Sequence, residues 1–132
     1  MVRVIPFEHR HAEGVTRLCA AEGWRSWTNA TVAAAFSAPG VVALVAEDRA
    51  EVVGAAQLLT DGSVVAYLGL LVVAAHVRGS GIGRGLIDEL FKRTGLNRID
   101  LLSEDASAGF YESLPHTTKP GYRLYAGPPG PS

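Results

Sequence analysis

Val72-Val73-Ala74-Ala75-His76-Val77-Arg78-Gly79-Ser80-Gly81-Ile82-Gly83-Arg84-Gly85-Leu86 is the stretch that decides the fold. Before it, Val64–Val73 is an apolar, β-branched run of strand character. After it, Ile82, Leu86, Ile87, Leu90 and Phe91 recur at helical spacing and make one apolar stripe. Glycine stands at 79, 81, 83 and 85 between the two. A strand entering a helix through such a turn leaves backbone N–H groups unpaired at the positive end of the helix dipole. Glycine has no Cβ to hold a ligand away, so the turn is a preformed anion site. Arg78 and Arg84 add charge on either side. The expected ligand carries phosphate.

The nucleotide motifs fit this turn poorly. Gly79-Ser80-Gly81 is followed by Arg84 where Gly-x-Gly-x-x-Gly has its third glycine, and the frame from Gly81 ends on Leu86. The lysine of a P-loop is missing as well. Arg-x-x-Gly-x-Gly fits without a gap, as Arg78-Gly79-Ser80-Gly81-Ile82-Gly83. This segment resembles the acyl-CoA pyrophosphate loop of the GNAT N-acetyltransferase superfamily. A glycine-rich turn that binds nothing is the plainer alternative.

The chain has 132 residues, 48% of them hydrophobic, enough for one domain with a real core. A net charge of −1 gives no basic footprint, so no nucleic acid partner is expected. The single cysteine, Cys19, excludes an intrachain disulfide and reads as a buried small hydrophobe. No apolar run has membrane-spanning length, and Pro6 and Glu8 interrupt the start. The expected compartment is the cytoplasm, with no membrane association. No His, Cys and Asp group has metal-ligand spacing, and no Ser, His and Asp motif supports a triad.

In chain order, Val2–Ile5 is a short strand stopped by Pro6, and His11–Glu22 is a helix with Val15, Leu18 and Cys19 on one side. Gly23-Trp24-Arg25-Ser26-Trp27 is an aromatic loop, and Thr28 or Asn29 caps a second helix running to about Ser37. Val41–Ala46 and Val52–Leu59 form an antiparallel pair around the polar turn Glu47–Glu51. Gly95 caps the helix that follows the glycine turn. Arg98–Leu102 is expected as a buried strand, parallel to Val64–Val73 because a helix intervenes. Ser107–Leu114 is expected as a short helix and Tyr122–Tyr125 as a last strand. The fold class is α/β with a mixed sheet, in the order β-α-α-β-β-β-α-β-α-β. One domain would cover 1–126, with a flexible Pro/Gly tail at 127–132.

This order is also that of the GNAT fold, a mostly antiparallel sheet flanked by helices and splayed between its strands four and five. Ile99–Leu102 followed by Ala106–Tyr111 resembles the family's strand five and helix four, where a Phe-Tyr pair, here Phe110-Tyr111, packs on the cofactor. Pro120-Gly121-Tyr122 resembles the dipeptide that opens the next strand. The resemblance implies an acyltransferase that carries an acetyl group from acetyl-CoA to a primary amine by direct attack, releasing CoA and using no metal. Cys19 is then not needed as a nucleophile. Arg78, Gly79, Ser80, Gly81, Ile82, Gly83 and Arg84 would hold the diphosphate. Leu71, Val72 and Val73 would pair with the pantetheine amides like another strand, and Ser107 and Phe110 would complete the cofactor site. A β-bulge near the end of strand four would free an N–H toward the thioester carbonyl.

Tyr111 stands where the family has its general acid, or else only packs on the cofactor. Many members carry a strand-four glutamate about eleven residues before the loop arginine. Here that position is Tyr67, suited at most to orienting a water, and Val64–Val73 has no carboxylate. Glu22, Glu104 and Asp105 are acidic candidates elsewhere, each equally readable as a solvated charge. No base is assigned. Trp24 and Trp27, with Ser103 after the fifth strand, would line the acceptor site; either tryptophan could instead plug the core. His9 and His11 read as structural, His76 as a surface residue, and His116 as a minor proton acceptor. The expected substrate is a small-molecule amine. The alternatives are a catalytically silent acyl-CoA-binding regulatory domain and a protein or peptide N-acetyltransferase. A missing seventh strand would leave a bare sheet edge, so a homodimer is expected.

Overall fold

The computed structural model describes residues 1–128, so the tail positions from 129 onward lie outside the described residues. The chain divides into two compact units, Met1–Leu101 and the shorter stretch from Leu102 onward. The first unit contains β1 (Val2–Pro6), α1 (Ala12–Ala21), α2 (Asn29–Phe36), β2 (Val41–Asp48), β3 (Glu51–Thr60), β4 (Ala66–Val73) and α3 (Ile82–Thr94). Single 3-10 turns at His9–His11 and Ala75–Val77 precede α1 and follow β4. The sheet has the order β1-β2-β3-β4, with every neighbouring pair antiparallel. This is a mixed α/β fold of the expected kind.

The local signals explain the element ends. Thr28 caps α2, its hydroxyl accepting the Thr31 N–H at 3.2 Å. Gly95 closes α3 at φ 70°, and its N–H donates to the Phe91 carbonyl at 2.9 Å.

Helices cover both faces of the sheet. Val15 and Cys19 of α1 and Val32 and Phe36 of α2 pack with Val45, Ala55, Leu70 and Val72. On the other face a Cβ at Gly54 would meet Ile82 and Leu86, so α3 lies close against β3 there. Ile82, Leu86 and Leu90 of α3 are buried, as the apolar stripe requires.

One irregularity decides which β4 residues face which helices. Gln57 pairs with Leu70, but its neighbour Leu58 pairs with Leu68, so Gly69 is an extra residue, a β-bulge. Below the bulge Leu68 lies opposite Leu58 on the α3 side, while Tyr67 lies opposite Leu59 on the α1–α2 side. Above it Leu70 and Val72 turn to the α1–α2 side and enter that core. Strict alternation through β4 would have put these residues on the wrong side.

Three expectations need correction. The parallel strand at Arg98–Leu102 is reduced to a single bridge, Tyr67 with Asp100. Leu68 N–H donates to the Asp100 carbonyl at 2.9 Å and Asp100 N–H to the Ala66 carbonyl at 3.0 Å. The segment is not buried on both faces, Leu101 being half-buried and Leu102 exposed, so the apolar run alone does not extend the ladder. Tyr122–Tyr125 is no strand; Tyr122, Leu124 and Tyr125 are more than 80% exposed, and an alternating segment without a partner strand does not form one. Glu47 belongs to β2 rather than to the turn, and is 2% exposed. In the second unit, a 3-10 turn at Asp105–Ser107 leads into α4 (Ala108–Glu112), shorter than the expected helix.

Candidate active site

The turn ahead of α3 is built as an anion cradle. Gly79 (φ 81°) and Gly81 (φ 89°) sit in the left-handed region that favours glycine, and a Cβ at either would meet nothing within 4 Å. The amide N–H groups of Gly79, Ser80, Gly81, Ile82, Gly83 and Arg84 have no hydrogen-bond partner among the described residues; the first bonded amide of the helix is Gly85, to Gly81. The Ser80 hydroxyl donates to the Val77 carbonyl and holds the turn closed. A row of free amides at the start of a helix of this length fits a diphosphate. Arg84 stays exposed, 3.9 Å from Asp88.

Arg78 is already engaged. Its Nε donates to the Val73 carbonyl at 3.2 Å, and its guanidinium meets Glu22 at 2.5 Å. Glu22 is thereby drawn away from the role of proton acceptor and ties the end of α1 to the turn.

The β4 edge away from β3 is paired only at Tyr67, so Leu71, Val72 and Val73 have no further strand beside them among the described residues. On the α1–α2 side of β4 the exposed groups are few. Tyr67 is 37% exposed, and on the same face, opposite Leu70, lies the buried Gln57, which the sequence pattern does not single out. Gln57 Nε2 donates to the Ala35 carbonyl of α2 at 3.2 Å, which turns its Oε1 toward Gly69. A Cβ at position 69 would run into that oxygen, so a side chain there would have to displace the Gln57 amide. A glutamine within an apolar strand was the available signal; the bulge itself leaves no mark in composition.

Trp24 and Trp27 are half-buried and pack against the α1–α2 core, Trp27 edge-on to Phe36 with ring centroids 6.1 Å apart. In the second unit Ser103 is exposed, Ser107 precedes α4, and Phe110 and Tyr111 stack edge-on at 5.1 Å. Burial raises the Tyr111 phenol, so it stays protonated at neutral pH. Burial, and then the charge of Glu22, push the Cys19 thiol up to about 11, which leaves it inert as a nucleophile. His76 is exposed on the turn after β4, and the His116 ring is hydrogen-bonded to the Leu114 carbonyl.

A second polar cluster lies elsewhere on the sheet. Glu47 accepts from Arg3 at 3.2 Å and from Arg10 at 2.8 Å, and its Oε2 lies 3.1 Å from His11 Nε2. The Glu8 N–H donates to His11 Nδ1 at 2.8 Å, so Nε2 carries the ring proton toward Glu47. Burial drives the Glu47 carboxyl upward, but Arg10 and His11 outweigh it and hold it below its ordinary value. Among the described residues, no group of three or more His, Cys, Asp or Glu side chains has the arrangement of a metal site. No helix among them is long and apolar enough to cross a membrane.

A family model described as an acetyltransferase (GNAT) domain matches residues 39–114, more than half of the chain. The chain belongs to the GNAT acetyltransferase family. Members of that family use acetyl-CoA, and the matched stretch of this GNAT domain includes β4, the glycine turn, α3 and Tyr111. Among solved structures it is similar to a GNAT-family acetyltransferase from Streptococcus pneumoniae, with 25% identity, 96% of this chain and 100% of that one covered, and a TM-score of 0.77. A ribosomal-protein-alanine N-acetyltransferase from Brucella melitensis shares the fold at 17% identity, with 96% and 100% coverage and a TM-score of 0.76. So does an aminoglycoside acetyltransferase from a soil metagenomic sample, solved with sisomicin, at 14% identity, 96% and 95% coverage and a TM-score of 0.75. No curated protein sequence matches the chain.

Proposed function

We propose that this GNAT domain transfers an acetyl group from acetyl-CoA to a primary amine of a small molecule, by direct attack of the amine. The observation that carries the reading is the run of unbonded amides from Gly79 to Arg84 at the start of α3. They would take the diphosphate with Arg78, once its guanidinium turns from Glu22. Leu71, Val72 and Val73 offer a free strand edge to the pantetheine amides. Ser107 and Phe110 join the cofactor site on the strength of the family resemblance.

Two proton transfers are needed. An alkyl amine of pKa about 10 is nucleophilic in only about one molecule in a thousand at pH 7, so a group must take its proton. The leaving thiolate, of pKa about 8.5, needs one in return. Tyr111 is assigned the second task, and burial keeps its phenol charged with a proton. Tyr67 orients a water on the acceptor side. Trp24, Trp27 and Ser103 are assigned to the acceptor site, and the bulky loop carrying the tryptophans favours a small substrate over a protein chain. We place the enzyme in the cytoplasm, where a lone thiol such as Cys19 is at home, and as a homodimer, for which light scattering at micromolar concentration is the check.

Calorimetry with CoA and acetyl-CoA tests the core of this reading. Micromolar binding is expected; no heat at millimolar ligand from folded protein would sink it. A second reading, a silent acyl-CoA-binding domain, is favoured by the absence of any carboxylate in Ala66–Val73. Radiolabelled acetyl-CoA offered with a panel of amines separates the two, because a silent domain binds and transfers nothing.

A further inference from the structure

We propose that Asp100 is the proton acceptor for the incoming amine. The inference rests on the acetyl-transfer reading above, and it fills the place left by the missing strand-four carboxylate.

The argument is one of register. Gln57 reaches the Ala35 carbonyl, so its side chain lies on the α1–α2 face of β3. Leu59, two residues on, shares that face and pairs with Tyr67. Tyr67 in turn pairs with Asp100 in the single parallel bridge, and bridged residues point to the same side of the sheet. Leu59, the Tyr67 phenol and the Asp100 carboxylate thus form a row across three adjacent chain segments, with Gln57 on the same face two residues along β3, opposite Leu70. The backbone bonds of Leu68 to Asp100 and of Asp100 to Ala66 fix the aspartate in that row.

The carboxylate is available. Asp100 is exposed, and among the described residues it has no salt bridge and no side-chain hydrogen bond. The groups sharing its face are Tyr67 beside it and Arg98, two residues earlier in the same segment. Gln57 and Leu59 on β3, and Ala35 on α2, add no charge. Gly69, whose missing side chain makes way for Gln57 Oε1, is two residues along β4 from Tyr67. That is about 7 Å at the usual rise of a strand, a span that the Asp100 carboxylate bridges through one water.

The amine nitrogen adds to the acetyl carbonyl carbon, forming the C–N bond. The nitrogen's proton passes to the Asp100 carboxylate. The C–S bond breaks with its electron pair leaving on sulfur, and the thiolate is protonated by Tyr111 or water. Asp100 then releases its proton to solvent.

The test compares wild type with Asp100→Asn and Asp100→Glu, using acetyl-CoA with 2-phenylethylamine, an aminoglycoside and an alanine-terminated peptide as probes. Asp100→Asn should bind CoA with unchanged affinity and melt at the same temperature, yet turn over at least about a hundredfold more slowly. The acidic limb of its rate–pH profile should vanish, and Asp100→Glu should restore part of the rate and that limb. A folded, CoA-binding Asp100→Asn with wild-type turnover and an unchanged profile overturns the assignment while leaving the transferase reading intact. A wild type that binds CoA and acetylates none of the probes overturns both, as does one that binds no CoA.

Discussion

Along the β1–β2 edge Glu47 gathers Arg3, Arg10 and His11, and every buried side-chain polar atom in that group has a partner. The turn ahead of α3 has the reverse character, a row of donors from Gly79 to Arg84 with nothing to donate to. The first arrangement is closed on itself, so it holds the fold and gains nothing from a ligand. The second is costly only if it is buried, and it is not; water occupies it until something better comes. Charge density alone would have pointed to the wrong cluster. The state of the donors separates structure from site.

The contrast can be broken experimentally, and the largest effect should come from the turn. Gly81→Val puts a branched side chain at φ 89° in the approach to the amides. CoA affinity should fall at least about a hundredfold by calorimetry, with the protein still folded; retained affinity would mean the ligand does not sit there.

Removing the closed cluster should do the opposite. Glu47→Ala leaves His11 and its arginines without their acceptor and should cost about 2 kcal/mol in denaturant unfolding, with CoA affinity unchanged. Because the folded chain holds this carboxyl below its ordinary value, the unfolded chain takes up the proton first as pH falls. The stability it lends is complete above the ordinary glutamate value and is lost as pH drops through it toward the folded one. The variant's stability should therefore decline less between about pH 5 and pH 3 than the wild type's.

Tyr111→Phe should lower turnover about tenfold and spare CoA affinity. Its raised phenol places any alkaline limb of the wild-type rate profile above the ordinary tyrosine value, and the variant should lack that limb. The smallest effect belongs to the link between regions. Glu22→Gln frees Arg78 from a half-exposed ion pair and should tighten CoA binding about threefold at low salt, less at high salt.

Much of this was legible in the residues. The strand–glycine–helix stretch gave the turn, the Thr28 and Gly95 caps, and the stripe of α3, because those signals are local. Position-by-position reading failed where distant segments decide. Nothing in Arg98–Leu102 says that β4 continues beside only one of its residues, so the run reads as a longer strand than forms and Asp100 as one more position within it. Glu47 looked like a turn residue because the partners that bury it lie in β1 and just before α1. The reach of Gln57 into α2 likewise depends on a contact no window of sequence contains.

The extra residue at Gly69 works as a phase shifter within one strand. Upstream of it, the exposed positions 59 and 67 are free to change identity with the acceptor, while downstream Leu70 and Val72, with Gln57 opposite Leu70, stay locked in the helical core. Libraries confined to those two upstream positions should yield new amine preferences at little loss of stability. Deleting the glycine would keep Leu68 and Leu70 opposite Leu58 and Gln57, so each residue would hold its side and only the kink of the strand would be lost.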